Sequence, residues 1–348
     1  MEDLLIADFE RIFEQSTESL SMLRGKRMLL TGGTGFFGKW ILGFLNHANR
    51  YHQLELTVFV LSRNPRNFLK LFPQFSLPLI QFIEGDVRNF SFSEPVDFVI
   101  HAATEASAKL NDERPSEMFD VIVQGTKHLL EICRQVQPQR VMMTSSGAVY
   151  GNQAVNITHQ DDEGVTGPDV HSVNSAYAEG KRVSELLGAF HANETGQEVN
   201  FARCYAFVGP YLPLDTHFAV GNFMNDCLQG RDIVIKGDGT ACRSYQYASD
   251  LVVWLLKILT HGKNVRSYNV GSEESVTIAD LAYQVSQVWS KLSGKTTMVR
   301  IEGVARAGAP THRYVPRTKR AREELGLKLS VSLEESLLKT LTWNDCSD

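Results

Sequence analysis

A tyrosine and a lysine four residues apart, Tyr177 and Lys181 in AYAEGKRVSE, share one face of a predicted helix. A free phenol titrates at about 10 and is a poor base at neutral pH. A neighbouring ammonium favours the phenolate, so the pair can move a proton on a hydroxyl or carbonyl. A third group comes from TSSGAVYG at 144–151, where Thr144, Ser145 and Ser146 end an apolar strand, RVMM. Ser146 can bind the same substrate oxygen as Tyr177, with Ser145 or Thr144 as helpers. No acid, base or cysteine stands among these hydroxyls. Alone, YxxxK is a common helical pattern that packing explains equally well; what lies upstream decides between the two.

Upstream, the strand RMLLTG (27–32) runs directly into TGGTGFFGKW, with Gly32, Gly35 and Gly38 spaced GxxGxxG ahead of the amphipathic helix KWILGFLNHA. Such glycines let the backbone approach a pyrophosphate, and the helix N-terminus offers free N–H groups and a positive dipole end. The strand–glycine–helix context separates this loop from an ordinary turn. At the end of the second strand stands Ser62-Arg63-Asn64, without the carboxylate that would hold the adenosine ribose of NAD. A guanidinium there can pair with a 2′-phosphate, which favours NADP and leaves NAD open. Asp86-Val87 follow the third strand, where the carboxylate can accept from the adenine amino group or cap the next turn. His101-Ala102-Ala103 end the fourth, where small residues let the backbone lie along the cofactor. Lys181 can also hold the cofactor ribose.

These motifs sit in a chain of 348 residues, 43% hydrophobic and 22% charged, of ordinary globular composition. A net charge of −5 suggests no nucleic-acid surface. The 5 cysteines lack close pairing, so neither a disulfide framework nor a metal site is expected, and a reducing, cytoplasmic setting is. The longest apolar run, LVVWLLKIL at 251–259, is short and carries Lys257, so no membrane association is expected. The acidic start MEDLLIADFE is not a secretory signal. Residues 1–25 form a helical extension, predicted as one amphipathic helix packed on the core. From 26 to 207 apolar strands alternate with helices, indicating a parallel sheet covered on both faces. From 208 to 348 the rhythm breaks into Gly-, Pro- and aromatic-rich segments, read mainly as a smaller lobe with returns to the sheet left open.

The order of residues from about 26 to 328 resembles the nucleotide-sugar epimerase/dehydratase branch of the extended short-chain dehydrogenase/reductase family. The likeness rests on TGGTGFFG, HAA, Gly125-Thr126, SSGAVYG, YAEGK, VGP (208–210), GDG (237–239), RSYQYASDL (243–251) and YNVGS (268–272). It implies a Rossmann-type doubly wound α/β fold with a C-terminal substrate lobe, an NADP or NAD cofactor and a nucleotide-diphosphate sugar substrate. It carries the catalytic set onto Ser146, Tyr177 and Lys181. Cofactor contacts fall on Gly32, Thr34, Gly35, Phe36, Phe37, Gly38, Arg63, Asp86, Val87, Ala102, Ala103, Thr104, Lys181 and Tyr205. Substrate contacts fall on Ser107, Ser145, Asn222, Arg243 and Arg313, the two arginines as a diphosphate clamp. Family members commonly dimerise through the two helices that here read MFDVIVQGTKHLLEICRQV and AYAEGKRVSELLGAF, which implies a homodimer; packing on the sheet also explains their apolar residues. The family often has Asn where this chain has Ile122 and Ala206, and the N-terminal helix is unusual for it.

The shared first step is removal of the C4 hydroxyl proton by Tyr177 as the C4 hydride leaves. Dehydratases of the branch place an Asp-Glu pair directly after the catalytic hydroxyl, and its decarboxylases carry Glu next to it. Here those positions are Gly147 and Ala148, which transfer no proton. The expected activity is C4 epimerisation or reduction of a 4-keto sugar, with a dehydratase or decarboxylase, or a cofactor-binding protein without turnover, as alternatives.

Overall fold

The computed structural model describes residues 3–104, 108–164, 166–216, 218–305 and 311–346. The strands in chain order are β1 (Arg27–Thr31), β2 (Thr57–Ser62), β3 (Ile80–Glu84), β4 (Phe98–His101), β5 (Arg140–Ser146) and β6 (Glu198–Cys204). Four short strands follow: β7 (Phe207–Val208), β8 (Ile233–Ile235), β9 (Cys242–Arg243) and β10 (Gln246–Tyr247). Then come β11 (Arg266–Val270), β12 (Val276–Thr277), β13 (Val299–Ile301) and β14 (Arg313–Tyr314). The central sheet is parallel, in the order β11-β6-β5-β4-β1-β2-β3. The strand order reverses between β1 and β4, and ligands bind at the carboxyl ends beside such a switch point.

Strand alternation explains the two faces. Met28 and Leu30, Val58 and Val60, Phe98 and Ile100, and Met142 point into one core cluster. Leu29, Phe59, Leu61, Val99, Val141 and Met143 point into the other. The helices in chain order are α1 (Asp3–Gln15), α2 (Thr17–Leu23), α3 (Phe36–His52), α4 (Pro65–Leu71), α5 (Ala108–Glu113) and α6 (Pro115–Val136). They continue with α7 (Ala176–Thr195), α8 (Ala219–Leu228), α9 (Ala248–His261), α10 (Ile278–Ser293), α11 (Lys319–Leu325) and α12 (Leu333–Asp345). Helices α1, α3 and α9 cover the first face, with Trp40, Phe44 and Trp254 fully buried. Helices α6 and α7 cover the second, through Leu129, Cys133 and Ala192. A further cluster, with Met224 of α8, Leu281, Val285 and Trp289 of α10, and Leu337 and Leu341 of α12, makes a separate core in the C-terminal half. Strand β11 lies within that half of the sequence, yet it pairs with β6 at the sheet edge.

The extension departs from the single helix expected, breaking at buried Ser16 into α1 and α2. Leu5, Phe9, Ile12, Leu20 and Leu23 are buried, and each such side chain contributes about 1.5–3 kcal/mol. A buried carboxylate needs partners, and Asp8 has two: Tyr247 Oη donates to it at 2.8 Å and Lys339 Nζ at 2.5 Å. Among the described residues no helix is long and apolar enough to cross a membrane, and all five cysteines are free.

Candidate active site

The glycine loop lies at the carboxyl ends of β1 and β4. Gly32 has φ +76°, and a Cβ there would sit 2.3 Å from the Ala102 carbonyl oxygen. A Cβ on Gly38 would sit 2.3 Å from the Gly33 backbone. The loop is therefore packed against β4 and α3 with no room for side chains, leaving a backbone cradle at the helix N-terminus that suits a pyrophosphate. Gly35 caps α3, so Phe36, Phe37 and Gly38 form its first turn rather than preceding it. The Phe37 ring packs edge-on against Phe207 at 5.0 Å. Phe36 and Phe37 thus offer the cradle their backbone, while their rings pack with the apolar cores. Thr34 is half-buried in the same loop. Ala103 N donates to Thr31 Oγ1 at 3.1 Å, fixing Ala102-Ala103 beside the loop.

Arg63 is exposed at the end of β2 and acts electrostatically on Asp86. The Asp86 carboxylate, partly exposed, is already engaged within the chain. Arg88 grips it through Nε at 2.9 Å and Nη2 at 3.0 Å, and the Arg88 amide donates to it at 2.9 Å. These bonds hold its pKa down to about 2. Of the two readings of Asp86, ligand or cap, the structure shows the cap, joined by an ion pair. Val87 is buried, and a Cβ on Gly125 would meet its side chain at 2.7 Å.

On β5, alternation separates the hydroxyls. Thr144 Oγ1 donates to the His101 carbonyl at 3.1 Å. Ser146 lies within hydrogen-bonding reach of Tyr177. Ser145 points the other way and donates to Glu185 at 2.5 Å. Glu185 is gripped by Arg203, through Nε at 2.9 Å and Nη2 at 2.7 Å, and Arg203 also donates to Tyr150 at 2.8 Å. Ser145 thus belongs to a buried polar network behind the strand and is not a substrate contact.

Lys181 Nζ donates to Thr104 Oγ1 and to the Thr144 carbonyl, both at 2.8 Å. Burial pushes its pKa down to about 8. Tyr177 is also desolvated, packing with Leu110, Met118 and Ile122. Burial raises its pKa to about 12, opposed by the Ser146 hydrogen bond. The predicted lowering of the phenol by Lys181 is thus not what the protein's own groups produce. The lysine points to Thr104 and Thr144, with Nζ 6.0 Å from the Tyr177 ring centre. Ile122, where the family often has Asn, makes this patch dry. A buried chain positions α7: Thr31 Oγ1 to His101 Nδ1 (2.8 Å), His101 Nε2 to Thr126 Oγ1 (3.3 Å), Thr126 to Ser184 (2.9 Å), and Ser184 to the Gly180 carbonyl (3.0 Å). Burial holds His101 down at about 3, so it serves as a neutral donor and acceptor.

The C-terminal half brings Tyr314 to this centre, with Oη 3.3 Å from Ser146 Oγ. It reaches there from a three-stranded sheet ordered β12-β9-β14. Parallel pairing sets Tyr314 beside Arg243 and Arg313 beside Cys242. Arg243 acts electrostatically on Tyr314, whereas Arg313 Nη1 reaches Cys242 Sγ at 3.5 Å. The two arginines thus have different partners here: Arg243 acts on Tyr314, beside Ser146, and Arg313 reaches Cys242. Asn222 is exposed on α8, and Ser107 lies outside the described residues. Tyr205 stacks near Tyr314 with ring centres 4.5 Å apart, and its buried hydroxyl has no partner among the described residues. A Cβ on Gly147 would meet the Tyr205 ring at 2.5 Å.

The model of the NAD dependent epimerase/dehydratase family matches residues 28–271, well over half of the chain. The chain belongs to this family. UDP-glucuronic acid decarboxylase 6 of Arabidopsis thaliana is 29% identical over 311 residues, covering 89% of this chain and 86% of that protein. A UDP-glucose 4-epimerase from Thermotoga maritima, solved with UDP-glucose, superposes with a TM-score of 0.75 at 22% identity, covering 92% of this chain and 99% of that one. A dTDP-glucose 4,6-dehydratase from Streptomyces venezuelae, DesIV, solved with NAD, gives 0.75 at 25% identity, covering 91% and 96%. Family members with three different outcomes thus surround this chain, so its own residues must separate them.

Three site features escape the sequence patterns. The fourth loop glycine, Gly33, is packed against Val60 Cγ1, where a Cβ would lie 2.5 Å away; TGGTGFFG carries it in plain view. Arg88 follows Asp86-Val87 directly, and an arginine so close to an acid is a readable warning that the acid is taken. Tyr314 carries no local signal, because the two-residue β14 has no periodicity.

Proposed function

We propose that this protein is an oxidoreductase acting at C4 of a nucleotide-diphosphate sugar, as a 4-epimerase or a 4-ketoreductase. One observation carries the reading: beside Ser146 stands Gly147, which carries no acid and faces the Tyr205 ring so closely that any side chain there would have to displace the ring. A 4,6-dehydratase needs a base for the C5 proton and an acid for the departing C6 hydroxyl. Without them, the chemistry left is transfer at C4. Tyr177 exchanges a proton with the C4 oxygen, Ser146 shares that oxygen, and Lys181 lies below them, held by Thr104. The nicotinamide dinucleotide, held by the glycine cradle and Ala102-Ala103, supplies hydride acceptor and donor when bound. Arg63 and the missing carboxylate after β2 favour NADP. Arg243 supplies the diphosphate contact. The lobe from 208 onward, less α9 and β11, would form the substrate half, and α6 with α7 the homodimer face, where Phe119, Leu186 and Phe190 are exposed.

A second reading rests on the decarboxylase relatives. Oxidation of a uronic acid at C4 gives a β-keto acid, which loses carbon dioxide without a base at C5. The missing carboxylates therefore weigh less against a decarboxylase than against a dehydratase. The test is turnover of UDP-, dTDP-, CDP- and GDP-hexoses, their 4-keto forms and UDP-glucuronic acid with each cofactor, products read by mass spectrometry. A C4 epimer or a reduced 4-keto sugar supports the first reading. A pentose supports the second. A 4-keto-6-deoxy sugar from a 6-hydroxy substrate overturns both.

A further inference from the structure

Away from the cleft, three metal-ligating side chains converge where the extension meets the sheet-covering helix. Glu10 comes from α1, and His47 and His52 from the last turns of α3. His47 Nε2 lies 2.7 Å from Glu10 Oε1, and His52 Nε2 lies 3.2 Å from Glu10 Oε2. The three ligand atoms all lie within 4.8 Å of one another. We infer that Glu10, His47 and His52 form a binding site for a divalent transition metal of the zinc class, which fastens α1 to α3.

The donor set chooses the metal. Two imidazole nitrogens with one carboxylate suit zinc, cobalt, nickel or copper, whereas magnesium and calcium favour all-oxygen sets. An ion about 2.1 Å from each donor in tetrahedral array needs donor separations of about 3.4 Å. The two spacings to Glu10 fall somewhat under that, and every donor pair lies within 4.8 Å, so side-chain rotation would open the cluster to an ion. The imidazoles are already oriented by packing. His52 stacks on Phe13 with ring centres 3.5 Å apart and planes 13° apart. His47 lies against Phe9 and Tyr51, at 5.6 and 4.8 Å. Exposure is graded, with side chains of His47 at 5%, His52 at 22% and Glu10 at 43%, so the carboxylate side leaves an entry path and room for water as fourth ligand. The nearby Arg24 is engaged with the His52 and Gln53 carbonyls. The site lies at the far end of α3 from the glycine loop, about 24 Å along a 17-residue helix. Its role is to staple the extension, not to do chemistry.

The test uses the full chain, untagged and passed through a chelator, titrated with zinc chloride by calorimetry and with cobalt(II) by visible absorption. One equivalent of zinc, an upward shift in melting temperature, and cobalt d–d bands of a four-coordinate ion are expected. Glu10→Gln and His52→Gln should each weaken zinc at least about tenfold. His52→Gln alters a half-buried side chain, so it keeps the comparison open if Glu10→Gln unfolds. Absence of stoichiometric binding at micromolar zinc to the wild-type chain overturns the inference. So does zinc affinity unchanged in both variants. So does an equal loss of melting temperature in Glu10→Gln with and without zinc, which would mark a hydrogen-bonded clamp only.

Discussion

Replacing Gly147 by alanine tests the steric argument behind the proposed reaction. The new Cβ would stand 2.5, 2.7 and 2.8 Å from Cζ, Cε1 and Cε2 of Tyr205. The ring cannot slide away freely. Tyr314 packs against it, tilted by 37° with ring centres 4.5 Å apart, and Gly271 sits so near that a Cβ there would reach Tyr205 Cβ at 3.1 Å. Overpacking of a confined ring costs about 1–3 kcal/mol. Urea denaturation of Gly147→Ala should show a loss of that size. In a Tyr205→Leu background the ring is gone, and the same substitution should cost less than about 0.5 kcal/mol, a coupling typical of side chains in contact. Gly147→Asp carries the larger clash, so installing the dehydratase's first carboxylate should yield no dehydration unless Tyr205 is trimmed as well. Wild-type stability in Gly147→Ala, or strictly additive losses in the double variant, would refute the reasoning.

Four further outcomes follow from the same geometry. Lys181 has a pKa of about 8 in the folded chain against 10.5 unperturbed, so the unfolded chain binds more protons between these values and stability rises with pH through that window; by pH ~9.5 the wild type should gain about 2 kcal/mol relative to Lys181→Met, as measured by urea melts at pH ~7.5 and ~9.5. Arg63→Ala should weaken NADP about 10–100-fold, the range for one charge-assisted contact, and leave NAD nearly unchanged in a fluorescence titration of both cofactors. Arg243→Ala should weaken UDP or dTDP binding by a similar factor, whereas Arg313→Ala should leave it within about twofold in calorimetry. Tyr314→Phe removes a partner of Ser146 and should lower kcat about 2–10-fold in steady-state assays, consistent with the loss of one neutral hydrogen bond.

The central sheet and the Tyr-Lys helix were legible because their signals are local: continuous apolar strands, a glycine loop between strand and helix, and a four-residue spacing. Strand parity also made the Ser145 error avoidable, since neighbours on one strand face opposite ways and only one of the two can meet Tyr177. The rest depends on long-range pairing. Whether Arg243 or Arg313 faces the site is decided by the register of two-residue strands 71 positions apart, for which no periodicity exists to read. The charge state of the catalytic phenol is likewise a property of its surroundings. Ile122, Met118 and Leu110 come from separate turns of α5 and α6, and only in the fold do they enclose Tyr177 and raise its pKa.

That enclosure and the crowding at Gly147 have one consequence together. The site has dry walls on the Tyr177 side and an aromatic pair, Tyr205 and Tyr314, where a dehydratase would carry its acid and base. Apart from Lys181, the protic groups gathered at Ser146 are hydroxyls, from Ser146 itself, Tyr177 and Tyr314, and burial raises the pKa of both phenols. A raised pKa keeps a phenol protonated at neutral pH, makes it a weaker acid and makes its phenolate a stronger base. A neutral phenol can protonate the strongly basic alkoxide formed when a C4 ketone is reduced, and its phenolate can remove the proton of a C4 alcohol, so the same residues serve both directions of transfer. Between the two activities proposed, the fate of the cofactor decides: net reduction of a 4-keto sugar with release of oxidised cofactor marks the ketoreductase, and inversion at C4 with no net change of the cofactor marks the epimerase.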